Sequence, residues 1–277
     1  MQWWCSAQGV AWEWSWRPYP GVWLFVATIA VAIWMVHRRA GAVVQPWRVS
    51  MMGQGILALW IALDWPVGAL GGGYLASVHM LQFLLIALIA PPLILLGVHP
   101  EVWSMLEKRG PPRWLAAVTA PLIGLIALNA VMLMTHLPAI ADPMMATQLG
   151  SFAIDLAWLI SGTLFWWPLV AKVPALPGFG QLLRMGYLVL GVMFSPVVIV
   201  LVAVLVFNEH PLFATYELAP RVGGLDSVVD HQIAGLLMSV GGAAITVVGM
   251  TTIFFRWARE VEGMERPDAR RELHRPA

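Results

Sequence analysis

Residues 75–97 read LASVHMLQFLLIALIAPPLILLG, a run with no charged residue. About 20 mostly apolar residues in helical form cross a hydrocarbon core about 30 Å thick, so this stretch is long enough to span a bilayer. A membrane β-strand would instead alternate apolar and polar residues over segments of about 10 residues. Neither this run nor VVIVLVAVLVF at 197–207 alternates. The same signature recurs on both sides of the first stretch, at 19–36, 49–70, 114–136, 146–170, 183–207 and 228–255. The sequence therefore predicts an all-α polytopic membrane helix bundle of about seven transmembrane helices. Composition agrees: 60% of the 277 residues are hydrophobic and 11% are charged, with mean hydropathy +0.76. A soluble domain carries roughly 25% charged residues.

The net charge is only +1, and position matters more than total. Arg38, Arg39 and Arg48 follow the first span, Lys108, Arg109 and Arg113 the third, and Lys172 and Arg184 border the loop after the fifth. Arg256, Arg259, Arg266, Arg270, Arg271 and Arg275 follow the last span. Of 16 Lys and Arg, only Arg17 and Arg221 fall on the opposite side. Basic loops stay in the cytoplasm, so the N-terminus is expected outside the cytoplasm and the C-terminus inside it.

Three regions follow: a Trp-rich outer interfacial segment over 1–18, a transmembrane domain over 19–255, and a charged cytoplasmic tail over 256–277. The first carries Trp3, Trp4, Trp12, Trp14 and Trp16 without a basic n-region or cleavage site, and reads as an aromatic lip rather than a cleaved signal. The tail reads as a short, fraying helix extension. Cys5 has no partner for a disulfide or a thiolate pair, so any metal must be held by His, Met or carboxylate. Gly71, Gly72, Gly73, Gly241 and Gly242 are small enough to let helices approach closely. Asp64 reads as a helix-end cap facing outer water.

Polar groups within the membrane are functional candidates. His79 and Met80 lie near the outer end of the third span. His136 closes the fourth with Met132 four positions before it. Asp230, His231 and Gln232 open the last span, with Met238 two turns deeper. Asp155 lies within the fifth, with no lysine near it in sequence, and serves either as a hydrogen-bonding group or as a proton or metal site. His and Met without Cys is the donor set of a copper site at an oxidising surface, since thioether suits Cu(I) and imidazole either oxidation state. The alternative for each His is a bond to a backbone carbonyl, and for each Met a role in packing.

At these residues the chain resembles the CtaG-type cytochrome c oxidase assembly proteins of bacteria. SVHMLQFLLIALIAPPLILLG (77–97) is similar to that family's S-x-HM-x-QH-x-L…APPL-x-x-LG helix, and THLPAIAD (135–142) with ISGTLFWWPL (160–169) to its WH-x-P-x-x-x-D and G-x-x-FWWPL pair. DHQIAGLLMSVGG (230–242) resembles DQ-x-x-AGL-x-MW-x-x-GG. The resemblance implies a non-enzymatic assembly factor for a haem-copper oxidase that handles copper at the outer face. The implied partners are an oxidase subunit and the lipid bilayer, not nucleic acid. His79, Met80, His136, Asp230 and Met238 match the pattern, and Gln232 stands one place after its Gln. Phe83, Ser151 and Asp155 stand where it has histidines, Ser239 where it has Trp, and His231 where it has Gln. Two other readings remain open: a metal-free scaffold or accessory subunit of an oxidase, and a transporter of copper or a small solute. The transporter reading conflicts with the scarcity of polar groups in the inner halves of the third, sixth and seventh spans.

Overall fold

The computed structural model describes residues 2–110, 112–171 and 180–272. Among these residues the regular structure is entirely helical. The long segments are α1 (Pro20–Arg39), α2 (Pro46–Leu63), α3 (Ala76–Gly97), α4 (Pro121–Thr135), α5 (Pro138–Met145), α6 (Gln148–Val170), α7 (Gln181–Phe207) and α8 (Ser227–Glu272). Short helices at Val67–Gly71, Pro100–Arg109, Arg113–Val118 and Ala214–Glu217 connect them. Four of the long helices begin on proline, whose fixed φ suits the first turn and whose missing N–H is not needed there.

Among the described residues α1, α3, α6, α7 and α8 are each long and apolar enough to cross a membrane. The pair α4 and α5, bent by 74°, makes a sixth crossing if taken as one span. Five or six candidate spans thus stand where about seven were expected. One difference lies in α2, which carries Arg48, Ser50 and Gln54 in its first half and stops at Leu63; the other lies in the expected span 114–136, which breaks between Val118 and Pro121. The expected span 49–70 breaks at Asp64, Trp65 and Pro66 before the short helix Val67–Gly71. At the other end of the chain α8 runs on to Glu272, through most of the segment expected to fray. Lys172 and Arg275 lie outside the described residues.

The hub is α3, with 61% of its apolar window buried against 6% for α1. Its middle turns, Leu84–Ile89, widen to a π-helix just before Pro91 and Pro92. A π-bulge relieves the clash and the lost hydrogen bonds that proline imposes on an α-helix. The α6 backbone meets this stretch directly. A Cβ on Gly162 would lie 2.2 Å from the Ala87 carbonyl oxygen, so only glycine admits the contact.

The first residues of the N-terminal segment enter the bundle, while Trp14 and Trp16 remain exposed. Trp4 and Cys5 are buried. The Trp3 and Trp4 amides donate to Gln148 Oε1 at 2.7 and 3.3 Å, and the Ala7 amide to the Met145 carbonyl at 3.0 Å. The glycines after Leu63 make the room. A Cβ on Gly68 would meet Cys5 Sγ at 2.9 Å, and one on Gly73 would meet Ala7 Cα at 2.5 Å. Gly73 therefore serves the entry of the N-terminal strand of chain, where close helix packing was expected.

Candidate metal site at the tryptophan-rich end

The buried side chains that open α3 include Ser77, His79, Met80, Gln82 and Phe83. The first turn of this helix is capped from another element. Asp230 of α8 accepts the amides of Ala76 (2.6 Å) and Ser77 (3.2 Å), and the Ser77 hydroxyl as well. Free N–H groups at a helix start attract a carboxylate, so Asp230 is committed to holding α3 against α8. The next residue is committed too. His231 Nδ1 donates to the Ser227 carbonyl at 2.7 Å, and Nε2 accepts the Phe213 amide at 3.3 Å. Neither nitrogen is left for a metal.

His136, at the end of α4, is different. Its Nδ1 lies 2.7 Å from the Met132 carbonyl oxygen, a contact that requires a proton on Nδ1. In the neutral ring Nε2 then carries only a lone pair, and it lies 3.4 Å from Met80 Sδ, another acceptor. Two buried lone pairs face each other with no hydrogen between them. At bond lengths of about 2.0 Å to nitrogen and 2.3 Å to sulfur, that spacing admits two donors on one ion in a bent arrangement, with the ion to the side of the N···S line. The carbonyl on Nδ1 orients the ring as metal-ligating histidines are oriented. Thr135 beside it accepts the Trp158 indole N–H at 3.0 Å, which braces the end of α4 against α6.

Two cavities of about 10 Å³ each, room for about one water, are lined by sequence neighbours of this pair, though by neither His136 nor Met80 themselves. Phe83, Met132 and Met238 line the first. Cys5, His79, Gln82, Met145, Ser151 and Asp155 line the second, where Gln82 Oε1 and Ser151 Oγ are buried without a hydrogen-bond partner. Asp155 accepts the Trp4 indole N–H at 2.8 Å.

The eight residues singled out in sequence thus fall into three groups. Met80 and His136 pair directly, and Met132 and Met238 line the first cavity. His79 and Asp155 border the second cavity. Asp230 and His231 hold backbone. Rings separate the histidines. Tyr216 stands 5.9 Å from the His79 ring and 6.1 Å from that of His231, while Phe83 lies 6.0 Å from His136 and Trp158 4.8 Å from His79. Among the described residues no three His, Cys, Asp or Glu converge on one metal position. His210, in the loop before Ala214–Glu217, is exposed.

Asp64 is buried, not turned to water, and accepts the indole N–H groups of Trp23 (2.9 Å) and Trp60 (2.8 Å). Sequence reasoning missed Trp4, Cys5, Gln82, Trp158 and Tyr216 as neighbours of the site. The one available signal was the density of Trp in a chain with membrane carboxylates to satisfy.

A family model described as cytochrome c oxidase caa3 assembly factor matches residues 27–260. No curated protein and no solved structure matches the chain. The match covers every residue of the His136–Met80 pair and both cavities except Cys5.

Proposed function

The chain belongs to the cytochrome c oxidase caa3 assembly factor family, and from that membership we propose that it carries Cu(I) between His136 and Met80 for delivery to a haem-copper oxidase. The facing lone pairs of His136 Nε2 and Met80 Sδ carry this reading. Both donors are neutral, and thioether sulfur is soft, so the site favours Cu(I) over Cu(II) or zinc. Delivery is ligand exchange. A two-donor site yields its ion to an acceptor subunit that offers more ligands, and no covalent chemistry by the protein is needed. The protein acts in a bacterial inner membrane, with the tryptophan-rich end outside the cytoplasm, where copper is available and the oxidase receives it.

Deletion is expected to lower the copper content and activity of the oxidase without changing transcription of its subunits, with partial rescue by excess copper. His136→Ala and Met80→Ala should fail to complement at limiting copper. His231→Ala, if it is stably inserted, should complement. Full complementation by the first two variants overturns copper carriage. It would favour the second reading, a metal-free scaffold, which the aromatic packing of Phe83 against His136 and Trp158 supports.

A further inference from the structure

At the end of the bundle opposite the N-terminal segment, two cavities join. One, of about 580 Å³, is lined by Arg48, Trp103, Glu107 and Arg256. The other, of about 380 Å³, runs between α3, α6 and α8 past Leu88, Pro92, Leu169, Ala244 and Val248. They share Leu96, Val170, Thr252 and Arg256, so one groove leads from a guanidinium-lined mouth into an apolar cleft. We propose that this groove binds one anionic phospholipid of the phosphatidylglycerol type, its phosphodiester between Arg48 and Arg256 and one acyl chain along the cleft.

The mouth has the chemistry of a phosphate site. Arg48 donates Nε to Gln45 Oε1 at 2.7 Å and Nη1 to the carbonyls of Leu96 (3.2 Å) and Val98 (2.7 Å). Its plane lies over the Trp47 ring at 4.4 Å. These contacts fix the guanidinium and leave the two N–H groups of Nη2 for a ligand. Among the described residues the ion pair that forms is Arg221–Asp226, at 3.2 Å, so Arg48 and Arg256 make no direct ion pair, although the Glu101 carboxylate lies close enough to act on Arg48. Arginine forks suit phosphate oxygens, and basic pockets between membrane helices recruit anionic headgroups. Glu107 at the rim can accept the headgroup hydroxyls of a glycerol ester. A second anion would be repelled there.

The depth of the cleft fits one leaflet. From Arg256 to Ala244 the groove follows α8 for roughly 18 Å at 1.5 Å per residue. Half of a hydrocarbon core is about 15 Å. An acyl chain that starts at the headgroup level therefore ends near the midplane. This length, with charge at one end only, distinguishes a lipid from a partner helix, which would continue across both leaflets.

Native mass spectrometry of the full chain, released from detergent after incubation with phosphatidylglycerol or with diacylglycerol of the same chains, tests the site. Wild type should retain one phosphatidylglycerol and little diacylglycerol. Arg256→Gln removes one charge near the headgroup and should lower retention about fivefold. Val248→Trp, at a largely exposed position of the cleft, should lower it as well by filling the groove. Arg48 is left in place because it also ties α2 to the end of α3. Equal retention in all three proteins overturns the proposal, as does equal retention of diacylglycerol. A dimer that forms in place of the lipid adduct overturns it in favour of a second copy in the groove.

Discussion

Trp4 and Asp155 are 151 positions apart in sequence, and the indole nitrogen of the first lies 2.8 Å from Oδ2 of the second. A carboxylate inside a membrane bundle must find a donor or a cation, and this chain has few cations to offer. It uses tryptophan instead. Trp23 and Trp60 do the same for Asp64, so an indole is in each case the hydrogen-bonding partner of a buried acid, and its ring adds apolar area around it.

Trp4→Phe keeps most of the ring and removes the donor, leaving Asp155 unpaired. The expected loss is about 2 kcal/mol, in the range for a buried polar group deprived of its partner. Adding Asp155→Leu to Trp4→Phe should recover much of it, because removing both partners removes the unmet need. Reversible unfolding in detergent measures both. If the double variant is no more stable than Trp4→Phe, the bond is not what holds the segment.

Cys5 reports whether the segment is seated. Burial pushes its thiol pKa well above the ordinary value, and the nearby carboxylates of Asp155 and Asp64 push it further. Its Sγ also donates to the Leu63 carbonyl at 3.3 Å. A free cysteine has a pKa of about 8.5, so its alkylation speeds up sharply between pH 7 and 9. In the native protein the same change of pH should have little effect, since the thiolate forms only above the raised value. Maleimide labelling followed over that range should be slow in wild type and faster in Trp4→Phe. Equal, fast labelling of both would mean that Cys5 is not covered.

Orientation is expected to follow charge. A reporter fused after Ala277 should be active in the cytoplasm, and one fused before Gln2 should be active outside. Arg17 and Arg221 stand on one side against the other 14 Lys and Arg, and the crowded side stays in the cytoplasm. The reverse pattern of reporter activity would defeat it.

How far the sequence could be read varied with the range of the interactions involved. The α3 helix was legible because a long apolar run has one stable form in a bilayer. The break in α2 was harder to see, since IALDWPVGAL remains apolar on both sides of Asp64. The donor types at the tryptophan-rich end were visible as His and Met, but their pairing was not. His231 is occupied by the Phe213 amide, which comes from a loop residue 18 positions away. Asp230 is occupied by the first amides of α3, more than 150 positions away. The path of residues 2–8 has no periodicity to read. It is set by space that Gly68 and Gly73 leave open.

Phe83 offers the most direct test of how the site has been tuned. Its ring is buried, 6.0 Å from the His136 ring and 5.4 Å from Trp158, and it lines the cavity shared by Met132 and Met238. In the CtaG-type motif that residues 77–97 resemble, a histidine stands at this position. Phe83→His would therefore bring a second imidazole beside the His136–Met80 pair in nearly the same volume, with a third donor for the ion. Loss of an outer-shell partner alone costs about 10–100-fold in metal affinity, so a directly coordinating imidazole should raise Cu(I) retention against a competing chelator by at least about tenfold. Adding His136→Ala to that variant should remove the gain, since the new ring alone faces only thioether. If Phe83→His binds Cu(I) no better than wild type while remaining folded, then the His136–Met80 pair is not the place where copper rests.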